Sequence, residues 1–404
     1  MKVLQIGATF VGAQKKIEYA IHEHLLAKGH DSKILYAIGE SDDPNVIRYE
    51  NRAAELLRRA LRKVLGRHHR FAFLSTRGLI RRIKEMRPDL IHIHVIHHGY
   101  LDFERLLKYI GKQGIPVVFT AHDMWFFTGG CYYYSTARCE GFRAGCVGCA
   151  KEGADLDCPR RATARNLQRK LYLYEGLKRA AFVSVSPWVR EEMEKSALAR
   201  YPLYTVMNAV DGAREATPVG KKRERFTIIG VAASWDERKG IHRFFELGRA
   251  LEDTCDIILV GSAMPSLKRE APENVTFYGY TKSAEELYAL YATADLHVSM
   301  SLEETFGLTF VEAALCGVRS LGFDSTAIPA VLQRTNGYVI SSLSVADAAK
   351  RIRELARDRE ACAIAQKERA EIRRYFSTER MALEYQRVYE EVVSSSAPLQ
   401  GEIH

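Results

Sequence analysis

No run of about 18 consecutive apolar residues occurs in the 404-residue chain, which excludes a membrane-spanning helix. Residues 1–7 are one short apolar burst closed by glycine, without the apolar core and small-residue cleavage site of a secretory signal, so we expect a cytoplasmic protein. Eight cysteines are too few for a disulfide scaffold in a chain this long, and a reducing compartment points to thiols or metal. Self-similarity at periods of about 20–50 residues is missing, which argues against a solenoid or a propeller. Gly7 and Gly12 flank the first turn without GxGxxG spacing, which disfavours a dinucleotide cofactor. What remains is ordinary globular material: 47% hydrophobic and 27% charged. At roughly 150 residues per domain, two or three domains are expected.

The net charge of +9 is concentrated. Residues 48–87 carry thirteen Lys and Arg against three Glu, and the rest of the chain is close to neutral. Within that window Ala54, Leu57, Leu61, Val64 and Leu65 fall at helical spacing. A basic amphipathic helix of this kind lies on an anionic membrane surface or meets phosphate-bearing substrates. The plainer reading is a surface helix packing its apolar stripe on its own domain. No zinc-finger, RNP-type or helix-turn-helix signature accompanies the charge, so nucleic acid is not the expected partner.

Apolar runs alternate with helical patterns along most of the chain. Strands are expected at 3–6, 33–36, 90–94, 117–120 and 182–185, with helices at 15–28 and 103–112. The pattern restarts with strands at 227–232, 256–260, 275–278, 296–300, 318–322 and 337–340, and helices at 239–251, 284–292 and 306–316. Residues 208–225 show neither period and read as a linker. The fold class is therefore α/β, with two doubly wound Rossmann-like domains facing across a cleft. The first spans 1–207, with the basic segment 48–87 and a Cys-rich insert at 131–158. The second spans 226–375, and 376–404 supplies a last helix returning to the first domain, then a frayed tail.

One segment carries most of the chemistry. Glu303, Glu304 and Thr305 follow an expected strand, and Phe306, Gly307 and Leu308 open a helix containing Glu312. Free backbone N–H groups at a helix start attract phosphate, and Gly307 permits close approach. Glu312 lies eight residues on, and at about 100° per residue that places it near the same face as Glu304, two turns deeper. Paired carboxylates beside a phosphate-seeking turn suit a nucleotide-sugar; a capping acid plus an exposed helical Glu is the bland alternative. Arg238 and Lys239, before Gly240, sit at another strand-to-helix turn, where they can neutralise a diphosphate. His122 and Asp123 end a strand, where ligands of parallel sheets bind.

Taken together these elements resemble the family 4 retaining glycosyltransferases, which have the two-domain GT-B fold. The Glu-x7-Glu signature falls on Glu304 and Glu312, followed by Cys316 and Gly317. The Lys-Gly pair falls on Lys239 and Gly240, the strand-end histidine on His122, and the domain-joining Asn on Asn208. Gly12 matches one glycine of the usual N-terminal pair, and Val11 takes the other place. Where the family usually has a phosphate-binding Arg, five residues before the Lys, this chain has Ser234; Arg238 is the nearby substitute. His122–Asp–x–Trp followed by a Cys-rich insert resembles the colanic-acid and other exopolysaccharide transferases of bacteria.

The resemblance implies sugar transfer from a UDP- or GDP-sugar, with retention, to a glycan or lipid-linked oligosaccharide; the basic segment 48–87 adds the expectation that the protein works at the inner face of the cell membrane. It implies that Glu304 holds the sugar and Glu312 the ribose. His122, with Asp123, would sit near the reacting centre. Lys239, Arg238 and the amides of Phe306, Gly307 and Leu308 would stabilise the diphosphate, with no cofactor required. The alternatives are another enzyme on the same fold, such as an epimerase or phosphorylase, or a non-enzymatic basic module binding membrane or nucleic acid. Cys131, Cys139, Cys146 and Cys149 supply four thiols, two of them as Cys-x2-Cys, for a structural zinc; disulfides and free thiols stay open.

Overall fold

The computed structural model describes residues 1–10, 12–50, 53–57, 60, 72–97, 99–149, 151, 156, 158, 160–210 and 223–395, with 12–14 as backbone only. Most of the helix expected at 54–65, most of the linker and the tail beyond 395 fall outside the described residues. Two compact units are present: Met1–Met207 with Thr378–His404, and Asn208–Ser377.

The first unit runs β1 (Lys2–Ile6), β2 (Thr9–Phe10), α1 (Gly12–Ala27), β3 (Asp31–Tyr36), β4 (Ile38–Gly39), β5 (Val46–Arg48), α2 (Phe73–Met86), β6 (Leu90–Ile93), α3 (Phe103–Gln113), β7 (Val117–Ala121), α4 (Thr163–Glu175), β8 (Ala180–Ser184), α5 (Pro187–Glu194) and β9 (Leu203–Thr205). Its sheet has the order β5-β3-β1-β6-β7-β8-β9 and is parallel throughout. Strands β6, β7 and β8 are buried at every position, so they read as continuous apolar runs rather than alternating ones. Local signals set the helices between them. Asp102 accepts from the N–H of Arg105 to start α3, and Gly114 ends it in the left-handed conformation.

The second unit repeats the plan with β10 (Phe226–Ser234), α6 (Ile241–Ala250), β11 (Cys255–Ser262), α7 (Pro265–Glu270), β12 (Val275–Gly279), α8 (Ala284–Thr293), β13 (Leu296–Ser299), α9 (Leu308–Leu315), β14 (Ser320–Phe323), α10 (Ile328–Arg334), β15 (Tyr338–Ile340), α11 (Val345–Arg357) and α12 (Gln366–Tyr375). The parallel order is β12-β11-β10-β13-β14-β15. Its core joins Ile228, Phe244, Leu259, Val298, Leu321 and Ile352. Asn208, Ala209 and Val210 are buried and count with this unit. The final helix, α13 (Thr378–Ser394), belongs to the first unit, where it buries Met381, Tyr385, Val388, Tyr389 and Val392.

In each sheet the strand order reverses beside the first strand of the unit, between β1 and β6 and between β10 and β13. Crevices at such switch points, outside the carboxyl ends of the strands, are where open parallel sheets bind ligands. One expectation needs correction: α9 starts at Leu308 with Gly307 as its N-cap, two residues later than the pattern suggests. Phe306 lies before the helix with its ring buried edge-on to Phe376, at 5.9 Å between centroids. Glu304 is therefore not helical, and helical rotation does not relate it to Glu312.

Candidate active site

At the β10/β13 switch point two turns meet. After β10, Asp236 accepts from the N–H of Lys239 at 2.9 Å, and Gly240 starts α6 with φ +74°. A Cβ on Gly240 would stand 2.2 Å from the carbonyl oxygen of Met300, so glycine lets this turn press against the end of β13. Ser301 binds the two turns together, its hydroxyl lying 3.2 Å from the carbonyl oxygens of both Arg238 and Glu303. The result is an ion pair across 65 residues of sequence, Lys239 Nζ to Glu304 Oε1 at 2.5 Å. The side chains stay 22% and 16% exposed, so the pair is reachable by a ligand. Glu304 is thus not a capping acid. Its backbone is fixed through its N–H to Thr326 Oγ1 at 3.0 Å and through its carbonyl to the N–H of Ala327.

Glu312 stands in α9 and is half-buried; Tyr291 donates to its Oε2 at 3.4 Å. The two acids therefore lean on different partners. Arg238 is half-buried and Ser234 is exposed. The start of α9 presents the N–H groups of Gly307, Leu308 and Thr309 just beyond Glu304, a local field that favours an anion.

In the first unit the strand ends beside the β1/β6 switch point carry histidines. His122 follows β7 and is half-buried, with Nε2 3.1 Å from Nδ1 of His94, which follows β6. Burial pushes His122 down to about 4, and it holds His94 well below the ordinary histidine value. Asp123 has both oxygens engaged, one with His97 Nε2 at 2.9 Å and one accepting from the N–H of Trp125 at 2.9 Å. Gly12 is the first residue of α1.

The cysteine insert does not fit a zinc ion as it stands. Among the described residues no three His, Cys, Asp or Glu side chains stand together as a metal requires. No disulfide joins Cys131, Cys139, Cys146 and Cys149. Their sulfurs turn to separate backbone groups: Cys139 accepts from Gly141 N–H at 3.4 Å, Cys146 accepts from Gly129 N–H at 3.1 Å, and Cys149 donates to the Lys151 carbonyl at 3.8 Å. Burial pushes the Cys131 thiol up to about 12, which keeps it protonated.

Comparison with known proteins gives this geometry its context. Residues 19–214 match the family described as Glycosyltransferase Family 4, and residues 213–373 match Glycosyl transferases group 1. The chain belongs to the family 4 glycosyltransferases. It is 24% identical over 371 residues to WcaC of Escherichia coli (strain K12), which carries the name of a colanic acid biosynthesis glycosyl transferase; the match covers 85% of this chain and 88% of WcaC. Among solved structures it resembles WaaG, a glycosyltransferase involved in lipopolysaccharide biosynthesis, with TM-score 0.64 and 15% identity over 97% of this chain and 100% of the other. Anabaena HepE in complex with UDP-glucose gives TM-score 0.63 and 13% identity over 97% and 100%. At these identities the structural likeness speaks for the fold, which is GT-B.

Several residues of this candidate site carry no clear signal in the sequence. Ser301 ties the turns of Arg238 and Glu303 together, Thr326 holds Glu304 and Tyr291 holds Glu312, but all three lie outside the Glu-x7-Glu segment. His92, His94 and His97 had a signal: three histidines in six residues at the end of a buried strand. Among the described residues of the glycosyltransferase no helix is long and apolar enough to cross a membrane.

Proposed function

We propose that the chain is a retaining glycosyltransferase that moves a sugar from a UDP- or GDP-sugar to a lipid-linked glycan in bacterial exopolysaccharide or cell-surface glycan synthesis. The observation that carries this reading is the Lys239–Glu304 pair at the β10/β13 switch point, next to the start of α9. A diphosphate brings negative charge to Lys239, Arg238 and the α9 amides, while Glu304 accepts sugar hydroxyls and Glu312 those of the ribose. In the reaction the bond from the anomeric carbon to the diphosphate oxygen breaks. A bond to the acceptor oxygen forms on the same face, and the acceptor proton passes to the departing phosphate oxygen. Charge growing on that phosphate is what the cations and amides stabilise, so the scheme needs no resident metal. HepE, whose structure contains UDP-glucose, supports a donor of this class.

A thermal-shift screen against UDP- and GDP-sugars and their free nucleotides tests the reading. A ligand at about 100 times its Kd adds roughly 2.7 kcal/mol to the folded state, a clear rise in Tm. No rise with any sugar nucleotide or nucleotide would remove it. The membrane part rests on the basic segment and on α2, which exposes Phe73 and Leu74 together with Arg77, Arg81 and Lys84. Co-sedimentation with phosphatidylglycerol vesicles should exceed that with phosphatidylcholine and weaken with salt. Equal sedimentation with both would leave a transferase without a membrane address.

A further inference from the structure

Across the first unit a line of hydrogen bonds joins the ends of three adjacent strands, β1, β6 and β7. It begins at a group that cannot change its role. The backbone carbonyl of Glu18 only accepts, and Gln5 on β1 donates its amide Nε2 to that carbonyl at 3.0 Å. This fixes which way round the Gln5 amide sits, and leaves Oε1 facing His94 Nε2 at 3.0 Å. An amide oxygen only accepts, so His94 carries its proton on Nε2. His94 is buried, packed with its ring centroid 3.8 Å from that of His92, and neutral. Its Nδ1 is then a lone pair, and His122 Nε2, 3.1 Å away, is the donor to it. His122 in turn is neutral with its proton spent on His94, so its Nδ1 is left as an acceptor. Among the described residues His122 Nδ1 has no hydrogen-bond partner, and the residue keeps partial exposure at the strand end.

We propose that Gln5 and His94 are positioning residues that hold His122 as a hydrogen-bond acceptor, so that it receives a sugar hydroxyl and turns away from phosphate oxygens. Hydroxyls carry the proton this nitrogen needs; ionised phosphate oxygens have none to give and meet a lone pair instead. The sugar contact rests on the functional reading above, whereas the proton positions do not. His122 is the group that touches the ligand, and the Glu18 carbonyl, Gln5 and His94 act through it. The direction of the whole chain comes from one main-chain oxygen and holds while both rings are neutral.

Imidazole 15N NMR of the full chain, labelled on histidine, reads the proton positions directly. Signals are assigned with His94→Gln and His122→Gln. Both rings should be neutral at pH 7 with the proton on Nε2; a His122 proton on Nδ1, or an imidazolium, overturns the proposal. Gln5→Leu removes the fixed acceptor and should leave His94 and His122 as mixtures of both tautomers. A single unchanged tautomer there would exclude Gln5 as the source, and if that variant does not fold the wild-type spectrum still decides the assignment. UDP and GDP, then UDP-glucose and GDP-mannose, are added with binding followed by thermal shift. The His122 Nδ1 signal should move with a bound sugar nucleotide and stay still with a bound nucleotide. Movement with UDP or GDP alone, or a bound sugar nucleotide that leaves it in place, overturns the hydroxyl contact. Failure of all four ligands to bind removes the contact together with the functional reading, and the tautomers of the free protein stand or fall on their own.

Discussion

Lys239 and Glu304 neutralise one another at 2.5 Å in a setting that is neither fully wet nor dry. A pair of this exposure contributes little to folding, on the order of 1 kcal/mol or less, so its use lies in placing charge. Lys239→Ala and Glu304→Gln should each lower turnover on the order of 10²-fold while leaving Tm within a few degrees. Wild-type rates from both, in an assay with any accepted sugar nucleotide, would show that the chemistry lies elsewhere. A second residue separates stability from catalysis. The Tyr389 hydroxyl lies 2.6 Å from His92 Nδ1, with both rings buried. Tyr389→Phe leaves that nitrogen unpaired and should cost about 1–3 kcal/mol in denaturant unfolding. An unchanged midpoint would mean that another group takes the place of the hydroxyl.

At the level of elements, the site is made by turns rather than by helices or strands themselves. Gly240→Ala puts a Cβ 2.2 Å from the Met300 carbonyl at φ +74°, so the two turns must separate. We expect a loss of at least about 2 kcal/mol and a larger loss of turnover, because Lys239 moves with the turn. Chemical denaturation and a steady-state assay read the two effects, and neither changing would show that the turns tolerate separation. The same distinction governs what the sequence discloses. Parallel strands buried on both faces leave long apolar runs, so β1, β7, β10 and β11 are readable to within two residues. The short β2, β5 and β9 leave no such run. Local motif spacing singles out Lys239, Glu304, Glu312 and His122. It misplaces the start of α9, because apolar Phe306 extends the helical pattern while Gly307 already breaks the backbone. The partners of His94 lie 28 and 89 residues away, and no local period reports pairings of that range.

For the molecule as a whole, buried neutral histidines make stability depend on pH in a definite direction. His122 is pushed down to about 4 and His297 to about 3, both by burial. His122 faces His94, His97 and Asp123; His297 faces the Ser320 hydroxyl at 2.9 Å and the rings of Tyr291 and Phe310. Near pH 6.5 the unfolded chain begins to take up protons that these folded rings refuse, so stability falls as pH drops from there towards about 4 and 3. Each ring contributes a slope of up to about 1.4 kcal/mol per pH unit, and above pH 7 the contribution is level. Tm measured from pH 8 to 4.5 should show a plateau and then a decline, and a flat profile would deny that these rings stay neutral when folded. The division of the chain has a different consequence, one of timing. Helix α13 completes the first unit yet is made after the whole of the second. During synthesis the second unit has everything it needs first, and the earlier-born half waits with its apolar floor uncovered until the seventeen residues of α13 emerge. Order of birth and order of completion are therefore reversed, and chains interrupted between the two are the ones most in need of a chaperone.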